Sequence, residues 1–356
     1  MATAHDPASG PFVPPSDSGG DSDPLSDVLE QVRLTGALHF LIEARAPWGV
    51  EVPRAETCRE AVLPRAEHLV SFDVVLDGGG WVELPEAEPV RFEAGDVLVF
   101  AHAPAHRLMS TPGGEIEHDA AQTTEFLHRM AAGRLPFAAR EGGDGARTRY
   151  VCGHLGCDLT PFNPVLAALP SFMHLRRRAT DMDLLDRLVA LTIEAGSRRG
   201  PGSRAVRLRL SELAFVEVLR MHMATLAPDA TGWLAGLRDP VAGRALSLMH
   251  ANPDAAWTLE RLAREAAVSR SVLAERFTGI IGCPPMRYLT RWRMQIAARL
   301  LRDGAPMTSA AQAAGYASEA AFSRAFKRET GTTPQQFATG RTVGRDAAAH
   351  GRAPAS

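Results

Sequence analysis

Cys152, His154 and Cys157 form a C-x-H-x-x-C run, and His102 and His106 lie on the turn after the apolar stretch GDVLVF. Two thiolates and two imidazoles are the donor types of a tetrahedral zinc site. The run is looser than a paired C-x-x-C, so two other readings stand beside zinc. The thiols could sense oxidants through sulfenic acid or a disulfide, or could pack as small buried hydrophobes. Cys58 and Cys283 have no partner in sequence and read as structural. Four cysteines in 356 residues are too few for a disulfide scaffold, which fits a reducing compartment.

A second group of residues points to nucleic acid. Residues 238–341 hold 15 Arg+Lys against 8 Asp+Glu, a charge of +7, so the rest of a chain whose total is −2 carries −9. A basic module joined to an acidic one implies a part that faces nucleic acid and a part with another task.

The elements that must position these residues change character along the chain. A length of 356 residues exceeds one domain of about 100 to 200 residues. With 45% hydrophobic and 22% charged residues the composition is that of an ordinary soluble protein. No apolar run approaches the roughly 18 to 20 residues that span a bilayer, and the N-terminus has neither a basic nor an apolar signal region. The expected location is the cytoplasm. Residues 1–22 are rich in Pro, Ser, Gly and Asp and are expected to stay disordered, as are residues 341–356. From residue 24 to 170, short apolar runs recur between Gly and Pro: GALHFLI (36–42), HLVSFDVVL (68–76), GWVEL (80–84) and PVRFEAGDVLVF (89–100). This pattern predicts an antiparallel β-sandwich or barrel behind a leading helix at 25–32. Residues 181–195 and 204–226 then place apolar residues at helical spacing and predict a helical pair. The stripe Leu208, Leu213, Val216 and Leu219 would pack on its own domain or form a dimer seam.

Residues 239–337 read as helical with short breaks and contain an internal repeat. The segment LAREAAVSRSVLAERFTGIIGCPPMRYL (262–289) overlays AAQAAGYASEAAFSRAFKRETGTTPQQF (310–337). Ser269 matches Ser318, Leu273 matches Phe322, Phe277 matches Phe326, Gly282 matches Gly331 and Pro285 matches Pro334. Each copy has the grammar of a helix-turn-helix. Small residues let one helix cross the next, a serine caps the second helix, and an i,i+4 apolar pair faces the core. The intervening residues Arg270, Ser271, Ala274 and Glu275, and in the second copy Glu319, Ala320, Ser323, Arg324 and Lys327, must then face outward. PMRYLTRWRMQIAARLLRDG (285–304) is a long helix between the copies.

On the strings TLERLAREAAVSRSVLAERF, YLTRWRMQIAARLL and AAGYASEAAFSRAFKRETGTTPQQF, residues 239–338 resemble the double helix-turn-helix of the AraC/XylS family of bacterial transcription regulators. Upstream, PVRFEAGDVLVFAHAPAHRL and VCGHLGCDLTPFNPVLAALPSFMHL resemble the cupin-like sensor domain of one AraC subgroup. The resemblance covers nearly all of residues 23–340. It departs at Ala310 and Ala314, where the family often has bulkier aliphatic residues, so the second unit is expected to be less tightly packed. It implies double-stranded promoter DNA as partner, an unidentified small-molecule effector, a homodimer, and RNA polymerase if the protein activates.

Carrying over the family's DNA-contacting positions gives Ser271, Ala274, Glu275, Ala320, Ser323 and Arg324 as base readers. The fork of Arg324 suits guanine O6 and N7. Arg270, Lys327 and Arg328 are expected on phosphates, which set register without reading sequence.

The rival reading is a cupin-type metal enzyme fused to a helical module. Gly95 and His106 satisfy the spacing of a second cupin motif, but Ala101 and Ala103 stand where Pro and Gly are usual. The two-His, one-Glu first motif is missing, since His68 stands alone. Catalytic residues are therefore not assigned, and zinc at His102, His106, Cys152, His154 and Cys157 is the one metal expectation. The expected fold is α+β: a cupin-like antiparallel β-barrel at 23–180, a helical connector that dimerises at 181–237, and an all-α tandem helix-turn-helix at 238–340.

Overall fold

The computed structural model describes residues 22–32, 34–159, 161–177, 183–198 and 200–339. Apart from Ser22, the two tails expected to be disordered lie outside these residues. The chain forms two units: one takes Val32–Leu159 and Pro164–Ala230, the other takes the preceding helix, the loop 161–163 and residues 231–339.

After the leading helix α1 (Pro24–Gln31), the first unit contains β1 (Leu34–Arg45), β2 (Gly49–Val52), β3 (His68–Asp77), β4 (Gly79–Glu83), β5 (Val90–Glu93), β6 (Val97–Phe100), β7 (His106–Met109), β8 (Ala138–Gly142), β9 (Arg147–Cys157) and β10 (Met173–Leu175). They make a six-stranded sheet in the order β10-β6-β3-β9-β1-β8 and a four-stranded sheet in the order β2-β7-β4-β5. The core includes Phe40, Leu69, Trp48, Phe92, Leu108 and Tyr150, drawn from both sheets. The wholly antiparallel expectation needs correction, because β8 pairs parallel to β1. The single run expected at 89–100 is two strands, β5 and β6, separated by a turn in which Gly95 has φ 95°.

Helices missed in the β-rich stretch are α2 (Ala55–Val62) and α3 (Ala120–Ala131). The signal for α3 was present: Asp119 and Gln122 form a capping box, with Asp119 accepting from the Ala121 and Gln122 amides. The short α4 (Pro164–Ala168) precedes β10. The helical pair is α5 (Leu184–Ser197) and α6 (Ser203–Thr225), packed on each other and on β1. It is part of the first unit, not a separate connector, because Ala214, Phe215, Val218 and Leu219 are buried. Of the suspected seam, Leu219 is buried and Leu213 is exposed.

The second unit comprises α1, α7 (Trp233–Arg238), α8 (Pro240–Ala251), α9 (Leu259–Glu265), α10 (Arg270–Ile281), α11 (Pro285–Arg302), α12 (Met307–Ala313), α13 (Glu319–Thr330) and α14 (Pro334–Ala338). Tyr288 of α11 ties its first half together. The Trp233 indole N–H donates to the Tyr288 oxygen at 2.8 Å, and the Tyr288 hydroxyl donates to His250 Nε2 at 2.8 Å. His250 stacks on Trp292 with ring centroids 4.1 Å apart, and its Nδ1 lies 3.3 Å from Asp27 of α1. Gln295 of α11 accepts from the Phe162 amide and donates to the Gln31 carbonyl. Helix α1 and the loop 161–163 therefore belong to the helical unit and not, as expected, to the β domain.

Candidate nucleic-acid interface and effector cavity

The two copies of the repeat adopt one local design. Ser269 caps α10 by accepting from the Val272 amide, and Ser318 caps α13 by accepting from the Ala321 amide, each at 3.3 Å. Each helix ends on a glycine in the left-handed region, Gly282 with φ 81° and Gly331 with φ 80°, which a side chain would strain. Leu273 with Phe277, and Phe322 with Phe326, are fully buried. That phase leaves the opposite faces open. Ser271, Glu275, Ala320 and Arg324 are exposed, and Ala274 and Ser323 are half-buried at their edges. The resemblance made no provision for Val272, which is 45% exposed on α10. The signal was available, since a residue just before Leu273 in helical phase cannot share its buried side.

Among the expected phosphate contacts, Lys327 and Arg328 are exposed, with Arg328 near Glu329 at 3.4 Å. Arg270 lies 2.9 Å from Glu260 at the surface. Two arginines of α11 serve the fold instead: Arg291 lies over the Phe162 ring at 4.1 Å, and Arg293 donates to the Ala255 carbonyl at 2.7 Å. The turn of the first copy holds Ala267 at φ 55° where the second has Gly315 at φ 73°. Ala310 and Ala314 are fully buried, so the smaller side chains leave no exposed gap at those two positions.

The first unit holds a partly open cavity of about 50 Å³. Its apolar walls include Phe40, Ile42, Val50, Leu108, Phe126 and Leu127. Its polar lining is Ser71, Asp73, His106, His118, Thr123, Glu141, Tyr150, Cys152 and His154. Strand alternation explains the set from β9, since Tyr150, Cys152 and His154 are two apart and share the inner face. The Cys152 thiol donates to Asp73 Oδ1 at 2.6 Å. Burial pushes the Asp73 carboxyl up to about 7, against the lowering effect of that hydrogen bond. Burial also raises Glu141. His106 Nδ1–H donates to the Pro104 carbonyl at 2.8 Å while the ring stacks on Phe100 at 3.7 Å. Burial lowers His106 to about 4, and lowers His154 to about 4 with help from His106. Both imidazoles are neutral at pH 7. His154 Nδ1 and Thr123 Oγ1 are buried without a hydrogen-bond partner.

The zinc or thiol set read from sequence does not assemble. Cys152, His154 and His106 face the cavity, but Cys157, five residues from Cys152, falls on the other face of β9. His102 is exposed and donates from Nε2 to the Leu169 carbonyl at 3.1 Å. Among the described residues no three His, Cys, Asp or Glu side chains are grouped to hold a metal ion. Burial raises both thiols, Cys157 to about 12 and Cys152 well above its ordinary value. Buried neutral thiols are poor nucleophiles. His68, the remaining cupin candidate, donates to the Ala101 carbonyl at 2.6 Å and does not line the cavity.

A cupin unit followed by a tandem helix-turn-helix is the build of a one-chain transcription regulator. A cupin family model matches residues 23–224, and a helix-turn-helix domain model matches residues 262–340. A putative AraC-like transcription regulator of Streptomyces lividans is 30% identical over 317 residues, 88% of this chain and 97% of that protein. The HTH-type transcriptional regulator AlkR of Acinetobacter baylyi is 26% identical over 88% of this chain and 98% of its own. The crystal structure of fatty-acid-bound ToxT from Vibrio cholerae aligns over 85% of this chain and 95% of that one, at 11% identity and a TM-score of 0.33. The chain belongs to the AraC-type transcription regulators and is a DNA-binding protein of that family. No helix among the described residues is long and apolar enough to cross a membrane.

Proposed function

We propose that this regulator reads promoter DNA with α10 and α13 and responds to a small molecule held in the cavity of its first unit. The observation that carries the DNA reading is the repeated design of the two helices: serine cap, buried i,i+4 pair and glycine stop leave matching outward faces. A helix of this kind fits the major groove. Ser271, Ala274, Glu275, Ala320, Ser323 and Arg324 are the base readers, and Arg270, Lys327 and Arg328 hold phosphates. Exposed Val272 adds an apolar contact suited to a thymine methyl group. Leu184 and Leu191 on α5 and Val206 and Leu213 on α6 are exposed at seven-residue intervals, which supports a homodimer through this hairpin. A cytoplasmic location follows from the DNA target, and contact with RNA polymerase would accompany activation. Among the described residues no cupin ligand set is grouped, and the whole-length relatives are regulators, which supports regulation over catalysis.

The test is DNA-binding anisotropy on a site selected from random sequence. Arg324→Ala is expected to weaken the selected site by about 1–3 kcal/mol and to relax one base position. Lys327→Ala is expected to weaken all sequences alike and to reduce the log–log salt slope by about 1. Equal losses for Arg324→Ala on every sequence would make it a phosphate contact. A salt-independent affinity would overturn the DNA interface itself.

A further inference from the structure

We infer that the cavity of the first unit is shaped for a small primary amine, bound as its ammonium ion by Asp73 and Glu141 with its hydrocarbon part against Phe40, Ile42 and Leu108. The inference rests on reading that unit as the sensor, and names the chemical class it takes.

Charge and hydrogen bonding both point to this class. Two carboxyl groups line the space, and no lysine or arginine among the described residues does. Asp73 is 4% exposed, and its side-chain hydrogen bond comes from a neutral thiol. A buried carboxylate without a countercharge is costly, and a bound cation removes that cost. An ammonium head has three donors to place. Asp73 and Glu141 take charge-assisted bonds, and His154, 4% exposed, and Thr123, 6% exposed, also line the space, each with a buried polar atom that has no protein partner. His154 stacks with Phe40 at 5.9 Å, which ties that imidazole to the apolar wall.

The same lining disfavours other classes. A carboxylate ligand would meet the two carboxyl groups, and no lysine or arginine among the described lining residues would receive it. A hydrocarbon would leave the unpaired atoms as they are. An alcohol would satisfy them without balancing the charge. Size sets the last limit: about 50 Å³ corresponds to roughly three to five water positions. A ligand of about that many heavy atoms fits without displacing the walls.

Isothermal titration of the full chain at pH 8 with n-butylamine, n-butanol and sodium butyrate tests this. The expected result is saturable 1:1 binding of butylamine, with butanol and butyrate weaker by about tenfold or more. Glu141→Gln, at a less buried position, and Asp73→Asn should each weaken butylamine by about tenfold while leaving butanol unchanged or tighter. A thermal scan confirms that each variant is folded. Butanol or butyrate binding as tightly as butylamine, unchanged butylamine affinity in Glu141→Gln, or no saturable amine binding would overturn the inference. Operator affinity measured with each compound separates the two levels. Amine binding without any effect on the operator leaves the site standing and removes the sensor reading. An operator response to butyrate or butanol alone keeps the sensor and removes the amine.

Discussion

Acidification from pH 7 to 4 is expected to unfold the β-rich first unit while the helical unit is still folded. Three of its histidines are buried and neutral: His39 is lowered to about 3, and His106 and His154 to about 4, by burial above all. His39 sits beneath α6, where the Ser211 hydroxyl is 3.3 Å from its ring. Unfolded histidine titrates near 6.5, so the folded values are depressed. Their contribution is complete above 6.5 and is lost as pH falls from there through about 4. The combined loss is several kcal/mol, comparable to the whole stability of a domain. Asp73 works in the opposite sense. Its carboxyl is raised to about 7, so its contribution is present below the ordinary carboxylate range and lost as pH rises through 7. Glu141, which burial also raises, works in the same sense as Asp73, and the two offset part of the three histidines. In the second unit the comparable group is His250, which burial lowers while Asp27 acts to raise it. Calorimetric scans between pH 7.5 and 4.5 should therefore show one transition moving strongly and one moving little. His154→Phe should flatten the first. Two transitions shifting in parallel would contradict the assignment.

The second large effect concerns α13. Phe326→Ala is expected to cost about 3–5 kcal/mol. Phe326 is fully buried, with ring centroids 5.5 Å from Phe322 and 5.3 Å from Phe337. The rest of that cluster is mainly alanine, including Ala297, Ala298, Ala310, Ala311, Ala314 and Ala325, with Met294 and Leu301. Short side chains cannot swing in to close the hole, so the loss belongs at the upper end of the range. Helix α13 would lose the phase that presents Arg324. Operator affinity should fall to that of a single reader, with a shallower salt slope, while binding by α10 persists. The check is a thermal scan paired with anisotropy. An unchanged operator affinity would mean that α13 does not read DNA.

Helices α10 and α13 were legible because everything that builds them is local. The Ser269 and Ser318 caps, the buried pairs and the glycine stops act within one or two helical turns. Repetition in one chain exposes that pattern without any knowledge of packing. The Cys152–Cys157 spacing was misleading for an equally local reason that was open to inspection: strand alternation sends an odd separation to opposite faces. Helix α1 and the loop 161–163 were placed in the wrong unit because neighbours in sequence need not be neighbours in the core. Their partners, His250, Gln295 and Arg291, lie more than a hundred residues away.

The cavity was decided by tertiary structure alone. Asp73 arrives on β3, Thr123 on α3, Glu141 on β8 and His154 on β9. No spacing rule connects them, because the register of β3, β9, β1 and β8 brings them together. Their protonation is likewise a property of burial, and burial exists only after folding. What the amino-acid order determined by itself was the family, the repeat and the outward faces of α10 and α13, since these follow from helical period and capping. The chemistry of the cavity, including which groups lack a partner, follows from long-range strand pairing that the linear order does not display.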